Sequence, residues 1–424
     1  MEHYTIILVL LGIMIIISTI AENKKISVPI VLILSGIGLG FVPGMPPMEI
    51  DTEVIFLLFL PPLLYDASFK IHLKEFRANF GTISSLAFTL VFVTTAGLAA
   101  IAYYLIPEIT WPLAFVLGAI LAPTDAVAAL SITKGLKLSS LSTTILEGES
   151  LLNDASALVA YRFAILAVTG TAFVIWNAGL TFLILLAGGF LIGIGIARAL
   201  SWLLRLFSHN TVTILSLLLL APFVTYLVAE RFHSSGVIAV VTLGFSMSRW
   251  SDMKFPDHVK QQSATIWEMI TFMLNGLIFI LIGLEFPVIV EELSSKQLLT
   301  YAGVGLLLTV AALIIRTWNV FLNRRKLHHA FNHPKLKGTR RAVTQDVLLS
   351  FQDSLIISWS GMRGIISLAI AIGLPQVSGK DGAPMKNVII YITTVVVLLT
   401  IVGQGLLLPG IVKRNAVAEA NPVA

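Results

Sequence analysis

The chain has 424 residues, 57% of them hydrophobic and only 12% charged, with a formal net charge of +5 and no cysteine. Soluble domains run near a quarter charged, so a soluble fold of this length could not hide so much apolar surface; lipid can. The missing cysteines exclude disulfides, thiol catalysis and cysteine-ligated metals.

A helix needs roughly 20 apolar residues to cross the hydrocarbon core. Apolar runs fall at about 4–21, 26–41, 52–67, 80–105, 112–131, 143–168, 172–206, 211–229, 234–248, 262–284, 298–321, 353–374 and 387–411, which makes about thirteen spans. The first has no basic segment before it and no small-residue cleavage site after it, so it reads as an uncleaved span. The seventh is long, and its division into one or two spans is settled by charge. Cytoplasmic loops are enriched in Lys and Arg. With the N-terminus outside, one side collects Lys24, Lys25, Lys70, Lys74, Arg77, Lys134, Lys137, Arg198 and Arg205. It also collects Arg249, Lys254, Lys260, the group from Arg316 to Arg341, Lys413 and Arg414. The other side holds Arg231, Lys296, Lys380 and Lys386 together with the acids Glu49, Asp51, Glu108, Glu291 and Glu292. Splitting the seventh run would scramble this bias, so it stays one long, tilted span. The basic charge is a topology signal, and no nucleic-acid partner is expected.

An odd span count allows a six-span unit to recur upside down after a linker span, a transporter plan with its site at the midplane. The expected fold is an all-α polytopic membrane protein of about 13 helices in one membrane domain. Residues 4–168 form the first repeat, 172–206 the linker helix and 211–411 the second repeat, and 412–424 form a short cytoplasmic tail. The halves share no clear sequence identity. Their fifth and twelfth spans are nevertheless odd in the same way. One reads LGAILAPTDAVAALS, with Pro123, Thr124 and Asp125 in its middle, and the other reads SWSGMRGIISLA, with Gly361, Arg363 and Gly364. Proline or paired glycines beside a charge predict discontinuous, crossed helices whose freed backbone groups meet an ion.

A charge at the bilayer centre costs about 2.5–3.5 kcal/mol on insertion scales, so the buried ionisable residues are the candidates. They are Asp125 in the fifth span, Glu147, Glu149, Asp154 and Arg162 in the sixth, and Arg363 in the twelfth, with Asp66 and Glu268 nearer the ends of theirs. In LEGESLLNDASALVAYR, Ser150 and Asp154 are four apart, as are Glu149 and Asn153, so each pair stacks along one helical stripe. Ser150 and Asp154 offer a hydroxyl and a carboxylate at adjacent heights, oxygen ligands suited to a hard cation such as sodium. Thr124 and Asn153 add neutral oxygens. Asp125 and Asp154 each have two readings, ion binding or hydrogen bonding to broken backbone. Glu149, a stripe away, is expected to form a structural ion pair with Arg363. Arg162 reads as snorkelling or locally paired. Gly36-Ile-Gly38-Leu-Gly40 and Gly193-Ile-Gly195 look like nucleotide-loop fragments but lie inside apolar spans, where close helix packing explains them better. His328, His329 and His333 read as part of a basic cytoplasmic loop.

The segments FLPPLLYDASF, APTDAVAALSITKG, EGESLLNDASALV and GMRGIISLAIA, in this order and spacing, resemble the monovalent cation–proton antiporters, in the branch of the NhaP-type bacterial proteins and the animal sodium–proton exchangers. The resemblance spans nearly the whole chain. It implies a homodimer in the plasma membrane (the inner membrane of a bacterium), with a six-helix core moving against a dimerisation domain. It also implies that Asp154 is the carboxylate binding ion and proton, with Asn153 its neighbour in the family's Asn-Asp pair. Ser150, Thr124 and Asp66 supply oxygens, placing Na+ at Asp154, Ser150 and Thr124. Glu149 and Arg363 match the family's core ion pair, and Asp125 aligns with the acid of the broken-helix motif. Relatives commonly carry a cytoplasmic tail beyond the point at which this chain ends, Ala424.

These readings lead to a sodium–proton antiporter with no cofactor and with Na+ and H+ as its substrates. Competition of the two for one buried carboxylate, with alternating access, gives electroneutral one-for-one exchange because Asn153 is neutral. The alternatives are potassium–proton or broad monovalent cation–proton exchange and, more distantly, a cation channel. An enzyme is not expected, since the spans hold neither a metal-ligand cluster nor a nucleophile–histidine pair.

Overall fold

The structure, a computed structural model, describes residues 2–24, 26–42, 52–133, 136, 138–170, 175–207, 210–291, 293–332 and 345–420. Among these residues every extended element is a helix, and the only β pairing is an isolated bridge between Ser378 and Pro384. In chain order the helices are α1 (Glu2–Asn23), α2 (Val28–Gly40), α3 (Thr52–Lys70), α4 (Leu73–Ser84), α5 (Val91–Leu105), α6 (Trp111–Leu121), α7 (Ala126–Ile132), α8 (Ser140–Val168) and α9 (Ile175–Leu206). They continue with α10 (Thr211–Arg231), α11 (Gly236–Lys254), α12 (Asp257–Glu291), α13 (Ser295–Asn332), α14 (Phe351–Trp359), α15 (Ile365–Ile372), α16 (Lys386–Leu398) and α17 (Gly405–Ala420). One π-helical turn, Ser85–Leu90, joins α4 to α5, and another, Leu399–Gln404, joins α16 to α17.

Nine stretches among the described residues are long and apolar enough to cross a membrane. The other apolar runs of the sequence coincide with α2, α3, α11 and the pair α14–α15, which are shorter, more polar or interrupted. The protein is therefore an all-α, multi-pass membrane protein. From Ile175 onward the long seventh run is the single helix α9. The eleventh extends further than its apolar stretch: α13 reaches Asn332, so His328 and His329 stand on a helix and not in a loop. The His328 Nε2 lies 2.9 Å from the Leu349 carbonyl oxygen. Lys25, Lys134, Lys137, Glu49, Asp51, Glu292, His333 and the rest of 333–344 lie outside the described residues, as does the end of the expected tail, 421–424. The earlier part of that tail, up to Ala420, continues α17.

Both expected breaks are present. α6 stops at Leu121 and α7 starts at Ala126; α14 stops at Trp359 and α15 starts at Ile365. Pro123 has no N–H to continue the helical bonding, and the backbone is extended at Asp125, although Ala122 itself keeps helical dihedrals. In the other break, Gly361 and Gly364 leave room for what packs on them, as described below. The two breaks touch: the Asp125 backbone N–H donates to the Met362 carbonyl at 2.8 Å. Freed polar backbone from one interrupted helix is thus satisfied by the other, as the absence of water in a bilayer requires.

Helices from both ends of the chain pack around this crossing. α4, α5, α6 and α8 from the first half lie with α13, α14, α15 and α16 from the second, and α3, α9, α10 and α11 pack mainly on one another beside them, with α3 and α11 also touching α8. α1, α2 and α12 form a third cluster, sharing a core of Met14, Ile33 and Ile280. Here the glycine-rich runs find their explanation. Gly36 packs on Ile280 and Gly283, Gly40 packs on Leu284 and Pro287, and Gly193 packs on Ala239 and Thr242, each at distances a Cβ would violate. Gly38 and Gly195 face open space. Small residues let helix backbones approach in lipid, where apolar burial alone drives nothing.

Candidate ion-binding site

α8 starts on an N-cap, Ser139, whose hydroxyl accepts from the Ser142 N–H, and it runs past the crossing with two polar stripes. Ser150 and Asp154 face a cavity of about 340 Å3, which Asp66, Thr124, Asp125 and Glu147 also line. Glu149 and Asn153, on the neighbouring stripe, face the breaks instead.

The acids around this cavity differ in what neutralises them. Asp125 is the N-cap of α7: its Oδ1 accepts from the N–H groups of Val127, at 2.8 Å, and Ala128, at 3.2 Å. Its Oδ2 abuts Gly364 at the start of α15. One carboxylate thus sits against the positive ends of both half-helices, where an anion is favoured. Asp66 accepts from the Lys70 ammonium at 2.7 Å. Glu147 is half-buried and nearer the end of the cavity that Lys70 lines. Asp154 is 6% exposed, and among the described residues no protein group donates to its carboxylate. It stands opposite the Ser150 hydroxyl of its own helix stripe, which also accepts from the Ala126 N–H at 3.4 Å.

The ion pair expected between Glu149 and Arg363 is not the one formed. Glu149 pairs with Arg316 of α13: Nη1 donates to Oε1, and Nη2 donates to Oε2 at 2.8 Å. The Arg316 Nε donates to the Ile357 carbonyl at 2.9 Å, and the side chain is 1% exposed. Arg316 reaches this position by lying over Gly361, where any Cβ would overlap its side chain. The sequence hid it near the end of an apolar run, among cations that belong to loops, whereas α13 continues well past it. Arg363 does different work. Its Nε donates to the Leu121 carbonyl at 3.0 Å and its Nη1 to the Gly361 carbonyl, so it serves the carbonyl ends of α6 and α14. A cation there balances the negative helix ends, as Asp125 balances the positive ones.

Asn153 belongs to the break and not to the cavity. Its Nδ2 donates to the Thr124 carbonyl at 3.1 Å and to Thr124 Oγ1 at 3.0 Å, and that hydroxyl donates in turn to Glu149 Oε1 at 3.1 Å. Arg316, Glu149, Thr124 and Asn153 are therefore one network, and Thr124 is where it meets the cavity. Of the expected residues, the structure gathers Asp154, Ser150, Thr124, Asp125 and Asp66 on one cavity, and leaves Asn153, Glu149 and Arg363 behind its wall. It adds Ser367 and Asn275, whose Oγ and Oδ1 have no protein partner among the described residues. Ordinary serines and asparagines in apolar helices gave no signal for these two. Among the described residues no three His, Cys, Asp or Glu side chains converge as metal ligands.

Gly364→Ala tests the geometry of the crossing. Its methyl group would displace Asp125 from the half-helix termini. Any cation- or proton-dependent activity should fall by about tenfold or more, in keeping with losses when a positioned group moves by an ångström. The same substitution at Gly38, which faces open space, should leave activity unchanged.

The sequence and fold have known counterparts. Residues 6–414 match the family described as sodium/hydrogen exchanger, transmembrane. A sodium, potassium, lithium and rubidium/H+ antiporter of Bacillus pumilus is 33% identical over 96% of this chain, which spans 61% of that relative's length. An uncharacterised Na+/H+ exchanger of Mycobacterium bovis is 31% identical over 98% of this chain and 76% of its own. The sodium proton antiporter MjNhaP1 of Methanocaldococcus jannaschii superimposes with a TM-score of 0.74 over 98% of both chains, at 16% identity, a likeness of fold. The chain belongs to the sodium/hydrogen exchanger family.

Proposed function

We propose that the protein exchanges protons for a monovalent cation, sodium first, at Asp154. One observation carries this reading: a buried carboxylate faces the cavity at the helix crossing and receives no donor from the described residues. A proton or a cation neutralises it, and Ser150 and Thr124 supply neutral oxygens to a cation. The empty anion in low dielectric costs several kcal/mol to carry across, which suppresses uncoupled return about a hundredfold or more. Two ligands competing for one site then become coupled. Asp66 and Asp125 tune the cavity from its rim, and Asn153 holds the break in shape. No cofactor enters the scheme; Na+ and H+ are substrates.

In this reading the N-terminus lies outside and the cavity opens, past Lys70 and Glu147, to the cytoplasm. The protein works as a homodimer in the plasma membrane, the inner membrane of a bacterium, and each half of the chain contributes one repeat. Potassium is a second cargo to test, because the Bacillus pumilus relative is named for four alkali cations. A channel is disfavoured, since a deep carboxylate without a continuous polar stripe suits a carrier.

Proteoliposomes with an internal pH dye test this directly. A sodium gradient should drive proton movement, with the signals for sodium, potassium and lithium ranking the cargo. A single charge exchanged for a single charge makes the rate independent of an imposed membrane potential. Absence of proton movement with every alkali cation would reject the exchange, and a rate that follows potential would reject one-for-one stoichiometry.

A further inference from the structure

The stripe of α8 that carries Ser150 and Asp154 continues at the same spacing to Leu158 and Arg162. Arg162 lies about 12 Å further along the axis at 1.5 Å per residue, on the side of Asp154 away from Lys70. There a second, smaller cavity of about 100 Å3 lies between α8 and the neighbouring group of helices, lined by Ala155, Leu158, Arg162, Tyr226, Glu230 and Val237. The two cavities therefore flank Asp154 along one helix face: the larger is reached past Lys70, and the smaller ends at Arg162. The Arg162 Nη2 donates to Glu230 Oε2 at 3.0 Å.

This ion pair joins two packed groups. α8 packs chiefly on α4, α5 and α6 and only lightly on α3 and α11, whereas the α10 helix that carries Glu230 packs on α3, α9 and α11. Glu230 is fixed independently of Arg162, because its other oxygen accepts from the Gly236 N–H at 3.3 Å, at the start of α11. Glu230 is thus tied to α11 as well as to Arg162. We propose that Arg162–Glu230 is the latch of a second access route to Asp154, closed while the Lys70 side is open and broken when the route opens. The half-exposed setting suits that task, since a pair of this kind is weak enough to break in every cycle. Once broken it leaves Glu230 to draw cations into the mouth, with Arg162 carried away on α8. The inference rests on the exchange reading for its purpose, but the latch itself is measurable without transport.

The chain has no cysteine, so Leu158→Cys supplies a single thiol one turn from Asp154 and one turn from Arg162. Its labelling by a membrane-impermeant maleimide, applied separately to each face of reconstituted vesicles, reports whether the second route is open. Reagent on the face that carries Arg231 should label it about two- to fivefold faster in Arg162→Gln and in Glu230→Gln than in the parent, the range expected for losing a half-exposed pair. The swapped variant Arg162→Glu with Glu230→Arg should return the rate toward the parent. Unchanged labelling in both single variants would overturn the latch, as would a swap that leaves labelling high. Faster labelling in a protein that moves no protons with any alkali cation would keep the latch and reject the exchange.

Discussion

Asp154→Asn should abolish cation-driven proton movement while leaving the protein folded and slightly harder to unfold. The amide keeps the shape of the carboxylate but can neither release a proton nor neutralise a cation, so both substrates lose the group for which they compete. A buried charge that receives no protein donor destabilises the fold until a ligand arrives. Removing it should raise the thermal unfolding midpoint, and sodium should no longer shift that midpoint, since a ligand stabilises only a state that binds it. The two readings together separate a lost site from a lost fold. Proton movement persisting in the variant at more than a few per cent of the parent rate would move the binding carboxylate elsewhere, with Asp125 and Asp66 next in line.

Glu149→Gln should have the opposite effect on stability. Arg316 would keep its full charge in a 1% exposed position, with the Ile357 carbonyl as its remaining good acceptor. Removing one partner of a buried pair costs about 3–5 kcal/mol because the survivor cannot be hydrated. That is a large share of the stability of any domain. Thr124 would also lose a charged acceptor, so Asn153 and the break would loosen with it. The expected result is a marked fall in the unfolding midpoint in detergent, with activity lost through the fold. Adding Arg316→Met to Glu149→Gln should recover part of the loss, since two uncharged partners leave no orphan. Equal midpoints for the single and double variants would mean that the pair carries little of the stability.

Much of this was legible from residue order. The apolar runs gave the helices, and Pro123 beside Asp125 and Gly361 beside Gly364 gave the two breaks. The four-residue spacing of Ser150 and Asp154 put both on the cavity, and that of Glu149 and Asn153 put both on the breaks. Pairing across distant segments was less legible. Arg363 and Arg316 both lie in apolar surroundings, and nothing local says which one meets Glu149. The answer depends on α13 crossing directly over Gly361, a fact of packing. The same limit hid Ser367 and Asn275, whose residue types are common in apolar helices and acquire meaning only from the cavity they face.

The backbone bond from Asp125 to Met362 also bears on biogenesis. The first break is synthesised and enters the bilayer long before Met362 exists, so the Asp125 N–H must wait for its partner from the far half of the chain. An unsatisfied backbone group in hydrocarbon costs several kcal/mol. α8, which follows immediately, supplies what cover it can, through Asn153 on the Thr124 carbonyl and Ser150 at the Ala126 N–H. The first half therefore emerges with its polar core only partly closed, and completing it is a late event in assembly. Chains interrupted between α9 and α14 would leave that core unfinished.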